Sequence, residues 1–347
     1  MNPSALWWHP LENDELACEL CPVGCRLSSG QDGPCGSRGN RAGTMVPLHY
    51  GRIISAGMDP IEKKPLYHYY PGSSIFSVAA PGCNLHCLFC QNWQISQTSS
   101  RTTNGTTNGA KGREVVASTT SASAAELVDA ALRQGASGIA YTYSEPLVWY
   151  EFIKDCAALA KEHGLKNVLV TNGFLNPRPL ADLLPLIDAA NIDLKAMDPE
   201  FYRDVCQGSL EPVLAAIRQF HAAGVHLEVT NLLIPGYNDS EAQVDQLVDF
   251  VGSLGPEVPL HFSAYRPSWK LDAPPTPRST LIRAREQALQ SLDWVYLGNV
   301  GGEVGRDTVC PDCGSPVVIR EGFRAEVNVL SGGLCSSCGR KLPIITA

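Results

Sequence analysis

Eleven of the thirteen cysteines in this 347-residue chain fall into three tight clusters, and that placement constrains the fold more than any other feature. The clusters are Cys18-x₂-Cys21-x₃-Cys25-x₉-Cys35, then Cys83-x₃-Cys87-x₂-Cys90, then Cys310-x₂-Cys313 paired with Cys335-x₂-Cys338. A secreted disulfide scaffold is normally short and carries a signal segment. Here Met1 to Glu15 holds acids and prolines, and no apolar run approaches the ~20 residues of a membrane span. The chain therefore reads as a cytosolic protein without membrane contact, its clustered thiolates serving as metal ligands. Cys156 and Cys206 sit in helical patterns outside the clusters and read as ordinary buried thiols. A formal net charge of −8, with no Arg/Lys-rich stripe, argues against a nucleic-acid partner.

Between the first and last clusters the hydrophobic pattern alternates strand and helix. Strands are expected at Ser74–Ala79, Gly138–Tyr143, Asn167–Thr171, Asn191–Lys195, Val225–Leu233, Leu260–Ala264 and Trp294–Leu297. Helices are expected at Ala124–Gln134, Leu147–His163, Arg178–Asp188, Glu211–Ala223, Glu241–Leu254 and Thr280–Leu292. About six such units in a row predict an α/β fold with a parallel sheet, a barrel or part-barrel, whose chemistry gathers at the C-terminal strand ends. Three parts follow: residues 1–72, a Cys₄ module and a bridge; residues 73–303, the barrel; residues 304–347, a small terminal module. Gln97–Ser123 is rich in Thr, Ser, Asn and Gly and reads as a loop. Its Asn104-Gly105-Thr106 sequon has no role in a cytosolic protein.

The central cluster follows the first barrel strand at once, in Ala80-Pro81-Gly82-Cys83-Asn84-Leu85-His86-Cys87-Leu88-Phe89-Cys90-Gln91-Asn92-Trp93. A [4Fe–4S] cubane normally takes four thiolates, so three leave one iron open for catalysis. A zinc site borrowing His86 is the alternative. Phe89 is placed to pack on an adenine, and Gly82 permits a tight turn.

CxxxCxxC with an aromatic before its third cysteine resembles the radical SAM superfamily. The wider blocks Asp59-Pro60-Ile61-Glu62-Lys63-Lys64-Pro65-Leu66-Tyr67-His68, Gly82-Cys83-Asn84-Leu85 and Cys90-Gln91-Asn92-Trp93 resemble the AmmeMemoRadiSam group, related to glycyl-radical activating enzymes such as that of pyruvate formate-lyase. The resemblance implies a radical SAM partial (β/α)₆ barrel in which Cys83, Cys87 and Cys90 hold the catalytic [4Fe–4S] cluster. S-adenosylmethionine chelates the open iron, and its reductive cleavage yields a 5′-deoxyadenosyl radical that abstracts hydrogen from a substrate. Ser144 and Glu145 occupy the place of a Gly-Gly-Glu-type motif that grips the methionine ammonium, with Tyr143 or Ser144 replacing its first glycine; a plain helix start is the other reading. Thr171 and Asn172 end the next strand, where the activating enzymes have an acid in the position of Val170. Asp193 and Lys195 lie near the nucleoside or the methionine carboxylate, or form a mutual salt bridge. Asn231 falls on the ribose-contacting strand. His261 contacts the cofactor or is a satisfied core histidine.

The flanking clusters each supply four thiolates. Cys18, Cys21, Cys25 and Cys35 suit zinc or a second iron–sulfur cluster, and spacing does not choose between them. Cys310, Cys313, Cys335 and Cys338 form two CxxC knuckles with following glycines, the pattern of a zinc ribbon. By resemblance the reductant is flavodoxin- or ferredoxin-like, and the substrate is a protein or peptide, with Memo-like or AMMECR-like proteins as candidates. A small metabolite as substrate, or a zinc-bound scaffold without catalysis, are the competing readings.

Overall fold

The computed structural model describes residues 4–98, 118–330 and 332–346. Most of the low-complexity loop expected over Gln97–Ser123, with its sequon at Asn104, lies outside the described residues. One eight-stranded sheet organises the chain: β1 Ser55–Pro60, β2 Ser74–Ala79, β3 Gly138–Tyr141, β4 Lys166–Thr171, β5 Ala189–Asp193, β6 His226–Leu233, β7 Leu260–Ala264 and β8 Val295–Gly298. Its spatial order is β8-β7-β6-β5-β4-β3-β2-β1. The seven strands from β2 to β8 run parallel, and β1 lies antiparallel on β2, Ser55 opposite Ala79 and Pro60 opposite Ser74. Between consecutive parallel strands come α1 Ala124–Arg133, α2 Tyr150–Glu162, α3 Pro177–Leu183, α4 Leu210–Ala222, α5 Glu241–Gly252 and α6 Arg278–Ala288.

These elements form for local reasons. Ser123 starts α1 with a capping box, its hydroxyl accepting from the Glu126 amide while the Glu126 carboxylate accepts from the Ser123 amide. Helix α2 buries Tyr150, Phe152, Ile153, Cys156, Ala157 and Ala160, a stripe at helical spacing that faces the sheet. All four residues of β3 are buried, as in a parallel strand covered on both faces. The strand expected over Gly138–Tyr143 stops at Tyr141, and that expected over Asn191–Lys195 lies two residues earlier. β1, read from sequence only as part of a bridge, is an addition to the expected sheet.

The two cysteine-rich ends pack on this frame. At the N-terminal end, Trp8–Pro10, Leu16–Cys18 and Arg26–Leu27 make a three-stranded sheet. Arg38, buried, ion-pairs with Glu151 on α2 and also donates to the Leu6 carbonyl at 2.7 Å. At the C-terminal end, Pro316–Glu321 pairs with Thr308–Val309 and Arg324–Val327. Arg320, fully buried, donates to the Tyr67 carbonyl at 2.6 Å and stacks 4.0 Å over the Tyr67 ring, tying this module to the segment before β2. The chain end adds to that tie: Ile345 donates to His68 O at 2.8 Å and accepts from Tyr70 N at 2.7 Å.

Candidate active site

The C-terminal ends of the parallel strands surround a cavity of about 300 Å³. Cys83, Cys87 and Cys90 line it from the loop after β2, and none of the thirteen cysteines is in a disulfide. Polar groups already point at these sulfurs. The Leu85 amide donates to Cys83 Sγ at 3.4 Å, and Ser96 Oγ lies 3.2 Å from Cys90 Sγ. Burial pushes the Cys83 and Cys90 thiols up, whereas a hydrogen bond from Cys206 draws Cys87 down. Three sulfurs on one cavity wall, with donors at Cys83 and Cys90, suit thiolate ligands of an iron–sulfur cluster. His86 is bonded to Gln97 at 2.5 Å through Nδ1 and does not line the cavity, so nothing here recruits it as a fourth ligand.

Most of the other expected residues line the same cavity: Phe89 from the cysteine loop itself, and Ser144, Glu145, Thr171, Asn172, Asp193 and Lys195 from the strand ends. Ser144 donates to Ala80 O at 2.5 Å, which ties the end of β3 to the cysteine loop. Glu145 starts a helix, as the second reading offered for it has it, and it also lines the cavity. Its carboxylate accepts from Leu147 N at 2.9 Å, capping the turn at Pro146–Trp149, and from Thr171 Oγ1 at 2.7 Å and Asn172 N at 2.8 Å. Burial pushes its carboxyl up to about 7 against those bonds. Asp193 and Lys195 form an ion pair at 2.8 Å. Burial alone would lower Lys195, but Asp193 and the Cys87 sulfur hold its ammonium above the ordinary range.

Two expected residues stand apart from this cavity. Asn231 does not line it; the amide donates to Leu194 O at 2.8 Å and Lys195 O at 3.2 Å, bracing the Asp193–Lys195 turn. His261 is bonded to the buried Glu228 at 2.6 Å and packs edge-on against Tyr67, the satisfied core histidine of the alternative reading. It borders a second, open cleft of about 1020 Å³ between the β7–β8 edge and the C-terminal module.

The structure adds residues that had no assigned role. Lys63, Lys64 and Pro65 line the cavity from the segment after β1. Tyr143 sits in the left-handed region at φ 70°, the conformation that a glycine of the expected motif would take without strain. Its hydroxyl donates to Asp59, and Lys64 Nζ lies 4.7 Å from its ring centroid. Cys206 is a buried thiol as expected, but it also sits against the cysteine loop: the His86 amide donates to its carbonyl at 2.9 Å, and its side chain draws the Cys87 thiol down. The sequence signal for that was weak: Cys206 ends a five-residue π-helical turn, Tyr202–Cys206, that periodicity does not reveal.

At the C-terminal end Cys310, Cys313, Cys335 and Cys338 place their sulfurs within 4.8 Å of one another. The other two clusters do not gather so closely. Among the described residues no helix is long and apolar enough to cross a membrane.

The family model described as the Radical SAM superfamily matches residues 77–251. An uncharacterized protein of Methanocaldococcus jannaschii is 40% identical over 346 residues, 98% of this chain and 99% of its own length. The pyruvate formate-lyase 1-activating enzyme of Escherichia coli strain K12 is 28% identical over 178 residues, 50% of this chain and 67% of its own. Among solved structures, a radical SAM methyltransferase from Sphaerobacter thermophilus aligns with a TM-score of 0.48 at 17% identity, covering 67% of this chain and 68% of that one.

Proposed function

The chain belongs to the radical SAM superfamily, and on that premise we propose that Cys83, Cys87 and Cys90 hold the [4Fe–4S] cluster that cleaves S-adenosylmethionine for hydrogen abstraction from a protein or peptide. The observation that carries this reading is the convergence of those three cysteines with Glu145, Asp193 and Lys195 on one cavity. When bound, the cluster supplies one-electron cleavage of the sulfonium and so an adenosyl radical.

The chain's own residues bind and orient. Lys195, kept cationic by Asp193, suits a carboxylate, and the Glu145 carboxylate, with Ser144 beside it on the cavity wall, suits an ammonium. Phe89, buried on the cavity wall, offers an apolar face to adenine. The strands beneath and the Lys63–Pro65 segment above limit water around the reacting atoms. The open cleft next to the cavity shares Lys63, Pro65, Gln91 and Ser263 with it and has room for a chain segment. That room, with the similarity to an activating enzyme of pyruvate formate-lyase, favours a macromolecular substrate. A flavodoxin- or ferredoxin-like protein is the matching reductant, and zinc the matching ion for Cys310, Cys313, Cys335 and Cys338. The narrower likeness to the AmmeMemoRadiSam group, with a Memo-like or AMMECR-like partner, rests on the Asp59–His68 and Cys90–Trp93 blocks and belongs to this proposal.

The test is 5′-deoxyadenosine formation by anaerobically purified protein given dithionite and S-adenosylmethionine. The native chain should form the nucleoside, and the Cys83/Cys87/Cys90→Ala variant should not. Equal formation by both, or none by iron-loaded native protein, overturns the reading.

A further inference from the structure

The chain carries two complete Cys₄ sets, and their geometry differs. Zn–S bonds of about 2.3 Å set the sulfurs of a tetrahedral site about 3.8 Å apart. The C-terminal set matches that scale: Cys310 Sγ lies 3.6 Å from Cys338 Sγ, and Cys313 Sγ lies 3.7 Å from Cys335 Sγ. In the N-terminal set no three of Cys18, Cys21, Cys25 and Cys35 bring their sulfurs within 4.8 Å of one another. Nor do Cys83, Cys87 and Cys90. In a cubane each thiolate binds a different iron and sulfides lie between them, so the sulfurs stand much wider apart than around one ion. A single tetrahedral iron would need the same tight spacing as zinc.

The surroundings agree with the wide spacing. All four N-terminal cysteines line one small cavity, with Leu20, Val23, Leu27 and Val148 on its wall beside Arg38 and Asn84. Hydrogen-bond donors reach the sulfurs: Arg38 Nη1 lies 3.8 Å from Cys18 Sγ, and the Ser37 amide 3.5 Å from Cys35 Sγ. That guanidinium is ion-paired with Glu151 on one side and turns an N–H toward the Cys18 thiolate on the other, a donor to a ligand sulfur held in place by a buried pair.

The site also abuts the catalytic loop. The Cys83 amide donates to the Cys35 carbonyl at 3.2 Å, joining a ligand of one set to a ligand of the other through a single hydrogen bond. Ser37 Oγ donates to Pro81 O at 3.2 Å on the same seam. A zinc ion held only to fold the N-terminal module has no need of this contact.

We propose that Cys18, Cys21, Cys25 and Cys35 hold a second [4Fe–4S] cluster, a one-electron centre set against the loop of the first. Its reaction is simple: an external low-potential one-electron donor loses an electron, the centre gains it, and no bond forms or breaks. The assignment goes beyond the proposed function and is tested separately from it.

The experiment counts iron, acid-labile sulfide and zinc in anaerobically purified full-length protein and in its Cys83/Cys87/Cys90→Ala variant. The native chain should hold about eight irons, about eight sulfides and about one zinc. The variant should keep about half the iron and show the paramagnetic signal of a reduced cubane after dithionite. About four irons and two zincs in the native chain overturn the assignment, as does one sulfide-free iron in the N-terminal module. The native count decides the matter even if the variant fails to fold. Absence of 5′-deoxyadenosine with about eight irons present counts against the proposed function and leaves this site standing.

Discussion

The ammonium of Lys64 lies 2.6 Å from the Asp59 carboxylate with no exposure of the lysine side chain, at the wall of the catalytic cavity. Burial would raise the Asp59 pKa, yet hydrogen bonds from Lys63, Lys64 and Tyr143 hold it well below the usual carboxylate range. Removing one partner of a buried pair leaves the other uncompensated, at a cost of about 3–5 kcal/mol. Lys64→Met leaves Asp59 with Lys63 and Tyr143 but removes its buried partner, so it should lower the unfolding free energy by about 2 kcal/mol in urea melts. Lys63 binds the same carboxylate at 2.8 Å but is 45% exposed, so Lys63→Met should cost under about 1 kcal/mol. Equal losses would show that burial does not set the strength of this pair.

At Gly82 the two cysteine loops come too close together for a side chain. The φ of Gly82 is 108°, and a Cβ there would sit 2.4 Å from Cys35 O and 2.5 Å from Ser37 Oγ. Backbone on one side and strain on the other leave no cheap adjustment. Gly82→Ala should separate the loops, lowering iron retention during anaerobic gel filtration and exposing the N-terminal module to limited proteolysis. A variant with native iron content and native proteolytic resistance would show that the seam is not close-packed.

The parallel strands were legible because each is an apolar run bounded by a helix signal; β2 and β7 lie where the pattern put them. β1 was not, since Ser-Ala-Gly-Met-Asp-Pro has neither an apolar run nor alternation, and an antiparallel edge takes its register from the neighbour. Cysteine spacing marked three candidate ligand sets, but that only Cys310, Cys313, Cys335 and Cys338 bring their sulfurs within 4.8 Å of one another is a tertiary fact. Lys64 shows the same limit: a lysine in a charged segment reads as solvated, and only folding reveals that Asp59 and Tyr143 enclose it. The Glu228 network is equally invisible in sequence, since its partners His68, Tyr67 and His261 come from distant segments.

His68 gives a pH signature. Fully buried and bonded to the Tyr296 hydroxyl at 2.6 Å, it has a pKa pushed by burial from 6.5 to about 3. A histidine held neutral in the fold stabilises it above the unfolded pKa, and that contribution is lost as pH falls from 6.5 toward 3. Below pH 6.5 one proton more is taken up on unfolding, about 1.4 kcal/mol per pH unit at most. His68→Gln retains a hydrogen-bonding group but does not titrate, so its stability should fall less steeply between pH 6.5 and 4.5 in urea melts at stepped pH. Parallel slopes for variant and native protein would rule out His68 as the source.

Cys206 is tied to the cluster loop by backbone as well as by its thiol. The His86 amide donates to Cys206 O and the Leu88 amide to Val205 O, both at 2.9 Å, which sets Cys206 beside Cys87, whose thiol it draws down. Hydrogen bonds to ligand sulfurs raise a cluster's reduction potential by spreading the thiolate charge. Cys206→Ala should thus make the potential of the Cys83–Cys87–Cys90 site more negative in an electron-paramagnetic-resonance titration. Cys206→Ser, which restores a donor, should return it toward the native value. Cys156, on the buried face of α2, does not line the cavity, so Cys156→Ala should leave the potential in place while costing some stability. If Cys206→Ala and Cys156→Ala behave alike, the thiol beside Cys87 acts only as packing.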